Sequence, residues 1–159
     1  MKVFSRSKFV SCYKTSENTL ETRSSLVDSV HEMEVVIVTD MKKNEIISAR
    51  SEIIRAPYKI CREISQSAVR LAGLKLDQNI GKNTRSIMGG AGGCFQLEDL
   101  SLEAVKAIKQ CNSDFMPGDL SEIIKAYDSL LRGTCYSHCR PVEEKAKEYI
   151  SPNFVSKNQ

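Results

Sequence analysis

Glu32-Met33-Glu34-Val35-Val36-Ile37-Val38-Thr39 decides the fold. Met33, Val35 and Ile37 fall on one side of an extended chain, and Glu34, Val36 and Val38 on the other. That two-residue period belongs to a strand buried on one face. Working outward, Asp40-Met41-Lys42-Lys43-Asn44 forms a hairpin connection into a further strand, Glu45 to Arg55. On the other side, Thr19 to Val27 is a weakly apolar strand. It joins through the polar turn Lys14 to Asn18 to a first strand within Val3 to Tyr13. Turns this short leave room only for antiparallel neighbours, so the first third of the chain is expected to be a β-meander of about four strands.

Pro57 ends the fourth strand. Ile60, Ile64, Ala68 and Leu71 then recur at helical spacing, with Gly73 in the place of a helix C-cap. A short helix is expected within Asp77 to Met88. After the run Gly89-Gly90-Ala91-Gly92-Gly93, a longer one carries Leu97, Leu100, Ala104, Ile108 and Cys111 on one side. Asp119 with Glu122 resembles a capping box for another helix, burying Leu120, Ile123, Ile124, Tyr127 and Leu131, and Pro141 suits the start of a last one. The apolar helix stripes and the single apolar sheet face need each other. The expected architecture is α+β: an antiparallel meander with helices packed on one face, forming one domain over residues 1–152 with a flexible tail at 153–159.

A hydrophobic fraction of 41% in 159 residues can bury a real core, so disorder is not the expected state. The net charge of +3 is small and its cations are interleaved with acids, which gives no one-sided basic face for nucleic acid. The longest aliphatic run, Val35 to Val38, is far short of a membrane span, and no apolar stretch follows the N-terminal cations as in a signal peptide. The cytoplasm is therefore the expected compartment, and the six cysteines are expected to be thiols.

Those thiols are the main chemistry on offer. Cys61 is placed in the first turn of a helix after Pro57, where amide groups and the helix dipole favour a thiolate. The competing reading buries it beside Ile60 and Ile64. Cys94 follows the glycine run, and Gly92 and Gly93 could fold the backbone into a nest of amides for an anion, a thiolate or a cluster sulfide. The alternative is that the glycines only let the turn pack closely. Cys135-Tyr136-Ser137-His138-Cys139 is the densest ligand cluster, although its spacing is not that of a zinc ribbon. Cys12, in a strand, and Cys111, in a helix stripe, are read as structural. His31, alone at a strand entrance, is read first as a hydrogen-bonded structural residue. No convincing acid–base pair, and no nucleophile elbow, zinc-protease motif or dinucleotide fingerprint, is present, so an enzyme is a third option only, cysteine-dependent and without an identifiable base.

Several runs carry a family resemblance: Phe4-Ser5-Arg6, then Leu26-Val27-Asp28 with His31-Glu32-Met33, then Ala56-Pro57-Tyr58-Lys59-Ile60-Cys61, Ala72-Gly73-Leu74, and Gly93-Cys94 shortly before Leu97. In this order and spacing they resemble the bacterial family called domain of unknown function 2889, over roughly residues 3–112. The resemblance implies no activity but directs attention to His31, Cys61 and Cys94. In the family pattern a histidine commonly stands two places after the glycine-turn cysteine. Here that place holds Gln96, a poor metal ligand. By element order alone, the chain is also similar to NifU/IscU-type iron–sulfur scaffolds.

Two functions follow as expectations. The first is soft-metal or sulfur capture, of zinc or iron, by Cys61 and Cys94 with Cys135 or His31 as a third donor and His138 and Cys139 in reserve. The second is a small-molecule or protein-partner binding module, for example a homodimer, using the open face or edge of the sheet.

Overall fold

The computed structural model describes residues 1–115, 120–133, 136, 139 and 140. The chain falls into two compact units, Met1–Phe115 and Met116–Gln159. In the first, four strands follow one another in sheet order: β1 (Arg6–Lys14), β2 (Thr19–Asp28), β3 (Glu32–Asp40) and β4 (Glu45–Arg55), each antiparallel to the last. The expected meander is present, and Glu45 to Arg55 has the bounds read from the sequence.

The alternation in β3 is realised: Met33, Val35 and Ile37 are buried in the core with Leu20 and Leu26 of β2. Val36 is the exception on the outer face. It is also buried, between its cross-strand partners Arg23 and Arg50, whose long aliphatic stems are able to lie over it. β4 carries two register shifts, at Ile47 and Ile54, which lie outside the pairing. Each adds one residue and resets the phase, so Ile46, Ala49, Ser51 and Ile53 all point inward while Ile47 and Ile54 are left exposed. Asn44 closes the β3–β4 hairpin with φ +51°, a left-handed conformation that asparagine tolerates better than most residues.

The helical stripe after Pro57 forms two short 3₁₀ helices, Lys59–Ile64 and Ser67–Leu71, rather than one α-helix. Ala68 and Leu71 are buried as the spacing implied, but Ile60 is 68% exposed. The break has a visible cause. The Ser65 carbonyl accepts from Ser51 Oγ at 2.5 Å, the Ser65 hydroxyl accepts from Ile53 N–H at 2.7 Å, and Ala68 N–H donates to Ser51 Oγ at 3.1 Å. These bonds tie the junction to β4 and compete with the helical ladder.

Helix α1 (Ile80–Met88) buries Ile80, Thr84 and Met88. Helix α2 (Phe95–Gln110) lies across β1, β2 and β3 and buries Leu97, Leu100, Ala104, Val105 and Ile108. Each large aliphatic removed from water here is worth about 1.5–3 kcal/mol. The second 3₁₀ helix packs against β4, and α1 packs on both it and α2, so the helices share one face of the sheet. A third 3₁₀ helix, Cys111–Phe115, ends this unit.

In the second unit, α3 (Leu120–Leu131) half-buries Ile123, Ile124, Tyr127 and Leu131 along one stripe and exposes Glu122, Lys125 and Ser129. Gly133 follows with φ +82°, the conformation of a glycine past a helix end. Arg140 stacks over the Tyr136 ring at 4.4 Å. Asp119 and the helix expected after Pro141 lie outside the described residues. No helix among the described residues is long and apolar enough to cross a membrane.

Candidate functional site

His31 sits in the β2–β3 connection, and its setting is built by Asp28. The Asp28 carboxylate is fully buried and accepts from Val30 N–H at 2.8 Å and His31 N–H at 2.7 Å. From β1, Arg6 reaches the same carboxylate with Nε at 3.0 Å and Nη2 at 2.7 Å, and the His31 ring lies 3.2 Å away through Nδ1. Burial alone would raise the Asp28 pKa, but the Val30 and His31 amides, Arg6 and the His31 ring together hold it well below the usual carboxylate range. Here His31 is a member of a turn-and-strand clamp.

The clamp has a pH signature. A carboxylate with a depressed folded pKa contributes stability that is fully present above its unfolded pKa of about 3.9 and is lost as pH falls toward the folded value. Asp28→Asn should therefore be destabilising near neutrality, with the gap to wild type narrowing in urea melts taken progressively below about pH 4. A gap that stays constant down to the lowest pH would contradict the clamp.

Cys61 is the third residue of the six-residue 3₁₀ helix, not part of the first turn of an α-helix. It is half-buried against the core, and its N–H already donates to Tyr58 O at 3.2 Å. Cys94 is the N-cap of α2, with φ −136° and ψ 123°, and no side-chain bond caps the helix. Two of the amides of the expected nest are spent internally. Gly93 N–H donates to Gly90 O at 3.1 Å and Cys94 N–H to Met88 O at 2.9 Å. A Cβ on Gly93 would stand 2.6 Å from the Gly89 carbonyl oxygen and closer still to that of Met88, whereas one on Gly92 would meet nothing within 4 Å. Close backbone packing accounts for Gly93.

Cys61 and Cys94 thus lie on different elements, and no group of three or more His, Cys, Asp or Glu able to hold a metal ion occurs among the described residues. Cys135 and His138 lie outside those residues. Cys139 is exposed in the second unit.

The cysteines that do come together are the two read as structural. Cys12 projects inward from β1 opposite Thr22, with its sulfur 3.4 Å from the Thr22 hydroxyl, and hydrogen-bonds Cys111 at the C-terminal end of α2. Both are half-buried against the core. The Cys111 bond, against the opposing effect of burial and aided by Thr22, pulls the Cys12 thiol down to about 6. The 98 residues between them hid the pair; only the β1 register and the length of α2 bring it about.

The two edges of the sheet differ. At one end of β4, Ile46 N–H donates to Leu74 O at 2.9 Å, Gly73 N–H to Ile46 O at 2.8 Å, and Leu76 N–H to Asn44 O at 2.9 Å. Toward the other end, Ser65 covers Ile53 N–H. β1 is the outermost strand on the opposite side, and among the described residues no segment pairs with its outer edge. Its cations are engaged within the unit: Arg6 with Asp28, Lys8 with Asp99 of α2, and Lys14 over the Phe115 ring at 4.6 Å. Of its other side chains, Val10 and Cys12 point inward, while Ser7, Phe9, Ser11 and Tyr13 face away from the helices and carry no charge, with Phe9 64% and Tyr13 51% exposed.

No curated protein and no solved structure matches the chain in sequence or fold. The NifU/IscU likeness therefore stays one of element order. A family model does match, over residues 8–110, which spans all four strands, the glycine turn and α2. The chain belongs to the family described as protein of unknown function DUF2889.

Proposed function

We propose that this domain is a protein-binding module that works through the open edge of β1, and that its partner there is a second copy of the same chain. The observation that carries the reading is the contrast between the edges: β4 is closed by residues 73–76 and Ser65, while β1 offers nine residues of edge backbone. Edges of this length are templates for strand pairing, and proteins normally blunt them with prolines, bulges, charged side chains or a covering segment. β1 has no proline, its pairing with β2 has no register shift, and its cations are already partnered.

A second β1 suits the edge because pairing is isologous and brings no unpartnered like charge to it. Antiparallel addition would extend the meander into one eight-stranded sheet, with Phe9 and Tyr13 of the two copies on a common face. In the cytoplasm, the compartment we propose for the chain, the cysteines stay reduced beside such an interface.

Sedimentation velocity across a concentration series tests this. Wild type should show a monomer–dimer equilibrium, and Phe9→Lys combined with Ser11→Lys should weaken association at least about tenfold through like charges at the seam. A wild type that stays monomeric at every concentration would contradict the proposal, as would a dimer indifferent to the two lysines.

A further inference from the structure

The two 3₁₀ helices that follow Pro57 share a plan. Three residues make one turn of such a helix, so residues three apart lie on the same side of it. In Lys59–Ile64, Cys61 and Ile64 form the side packed against the core, while Lys59 with Arg62 and Ile60 with Glu63 form two exposed sides. In Ser67–Leu71, Ala68 and Leu71 form the buried side, and Val69 and Arg70 are exposed. Each helix therefore turns both an aliphatic side chain and a cation toward water. Tyr58, 70% exposed, precedes the first helix. Arg62 Nη2 donates at 3.4 Å to the carbonyl of Ile54, which is itself exposed at the last bulge of β4.

We propose that Tyr58, Ile60 and Val69, with Lys59, Arg62 and Arg70, dock this domain peripherally on an anionic lipid bilayer. The surface lies beside β4, on the far side of the sheet from the β1 edge, so it is independent of self-association there.

Charge supports the choice of partner. Residues 54–70 hold four cations, Arg55, Lys59, Arg62 and Arg70, against the single acid Glu63, a balance of +3 that equals the formal charge of the whole chain. Arg55 is bridged to Glu32 at 3.7 Å, but Lys59, Arg62 and Arg70 have no carboxylate partner among the described residues. Anionic headgroups supply that counter-charge. Tyr58 and Ile60 flank Lys59, which lets the ring and the aliphatic chain enter the headgroup boundary while the ammonium stays at the phosphates. Size also separates a bilayer from a folded protein. A stable protein interface takes about 20–30 residues a side, more than two helices of six and five residues carry. A lipid surface needs no matching relief and is held by a handful of side chains.

Co-sedimentation of the full chain with vesicles tests the proposal. Phosphatidylcholine vesicles containing about 30% phosphatidylserine should carry down the wild type at low salt, and phosphatidylcholine alone should not. Lys59→Gln with Arg62→Gln should weaken partitioning at least about tenfold, and so should Tyr58→Ser with Ile60→Ser. Lys42→Gln with Lys43→Gln removes the same charge from the turn at the opposite end of β4, beyond the screening length, and should change binding by less than about twofold. All six side chains are exposed, so these variants keep the fold. A wild type that stays in the supernatant with anionic vesicles would overturn the proposal, as would equal losses for the two charge-removing pairs. Capture by soluble polyglutamate without vesicle binding would overturn it in favour of an acidic protein.

Discussion

Ile37→Ala is expected to lower the unfolding free energy by about 3–4 kcal/mol, while Val38→Ala, one residue on, should cost about 1 kcal/mol or less. Ile37 lies at the centre of β3, fully buried, paired with Thr22 on one side and Ala49 on the other, beneath the layer formed by α2. Truncation removes three carbons from a close-packed site whose neighbours lie on rigid strands and cannot collapse into the space. Val38 points to the outer face and is half-buried, so its loss exposes little and leaves no cavity. Urea unfolding of the two variants reads the difference directly. Equal losses would mean that β3 is not one-sided.

The second large effect concerns the glycine turn. Gly93→Ala should destabilise by about 2–3 kcal/mol, because the new Cβ meets two backbone carbonyls, Met88 and Gly89, that have no side-chain freedom with which to yield. The displaced turn would also strain the Cys94 N–H bond to Met88 O, which sets the start of α2. Gly92→Ala meets open space and should stay within about 0.5 kcal/mol of wild type. Similar stabilities for the two variants would show that the turn is not closed by backbone contact at Gly93.

The α+β architecture was legible because its signals are local: the two-residue period of 32–39, the short turns, and the helical stripe of Leu97, Leu100, Ala104 and Ile108, all buried in α2. The 3₁₀ breaks in 59–71 were not, because they depend on Ser51 and Ser65 meeting across the fold. The bulges at Ile47 and Ile54 escaped for the same reason, since isoleucine suits either face of a strand. At the site level, a cysteine after glycines and a cysteine after a proline drew attention by sequence context. The pair in contact, Cys12 and Cys111, has unremarkable neighbours in the chain and is defined only by register. Edge status is likewise invisible in sequence. β1 and β4 look equally able to bind until the chain from Gly73 to Leu76 turns back and closes one of them.

Amide hydrogen exchange of β1 as a function of protein concentration tests self-association through this edge most directly. The outward amides of Arg6–Lys14 should exchange freely in dilute protein and become protected as concentration rises, while the amides of β3 stay protected throughout. Exchange in β1 that is the same at every concentration would contradict the account.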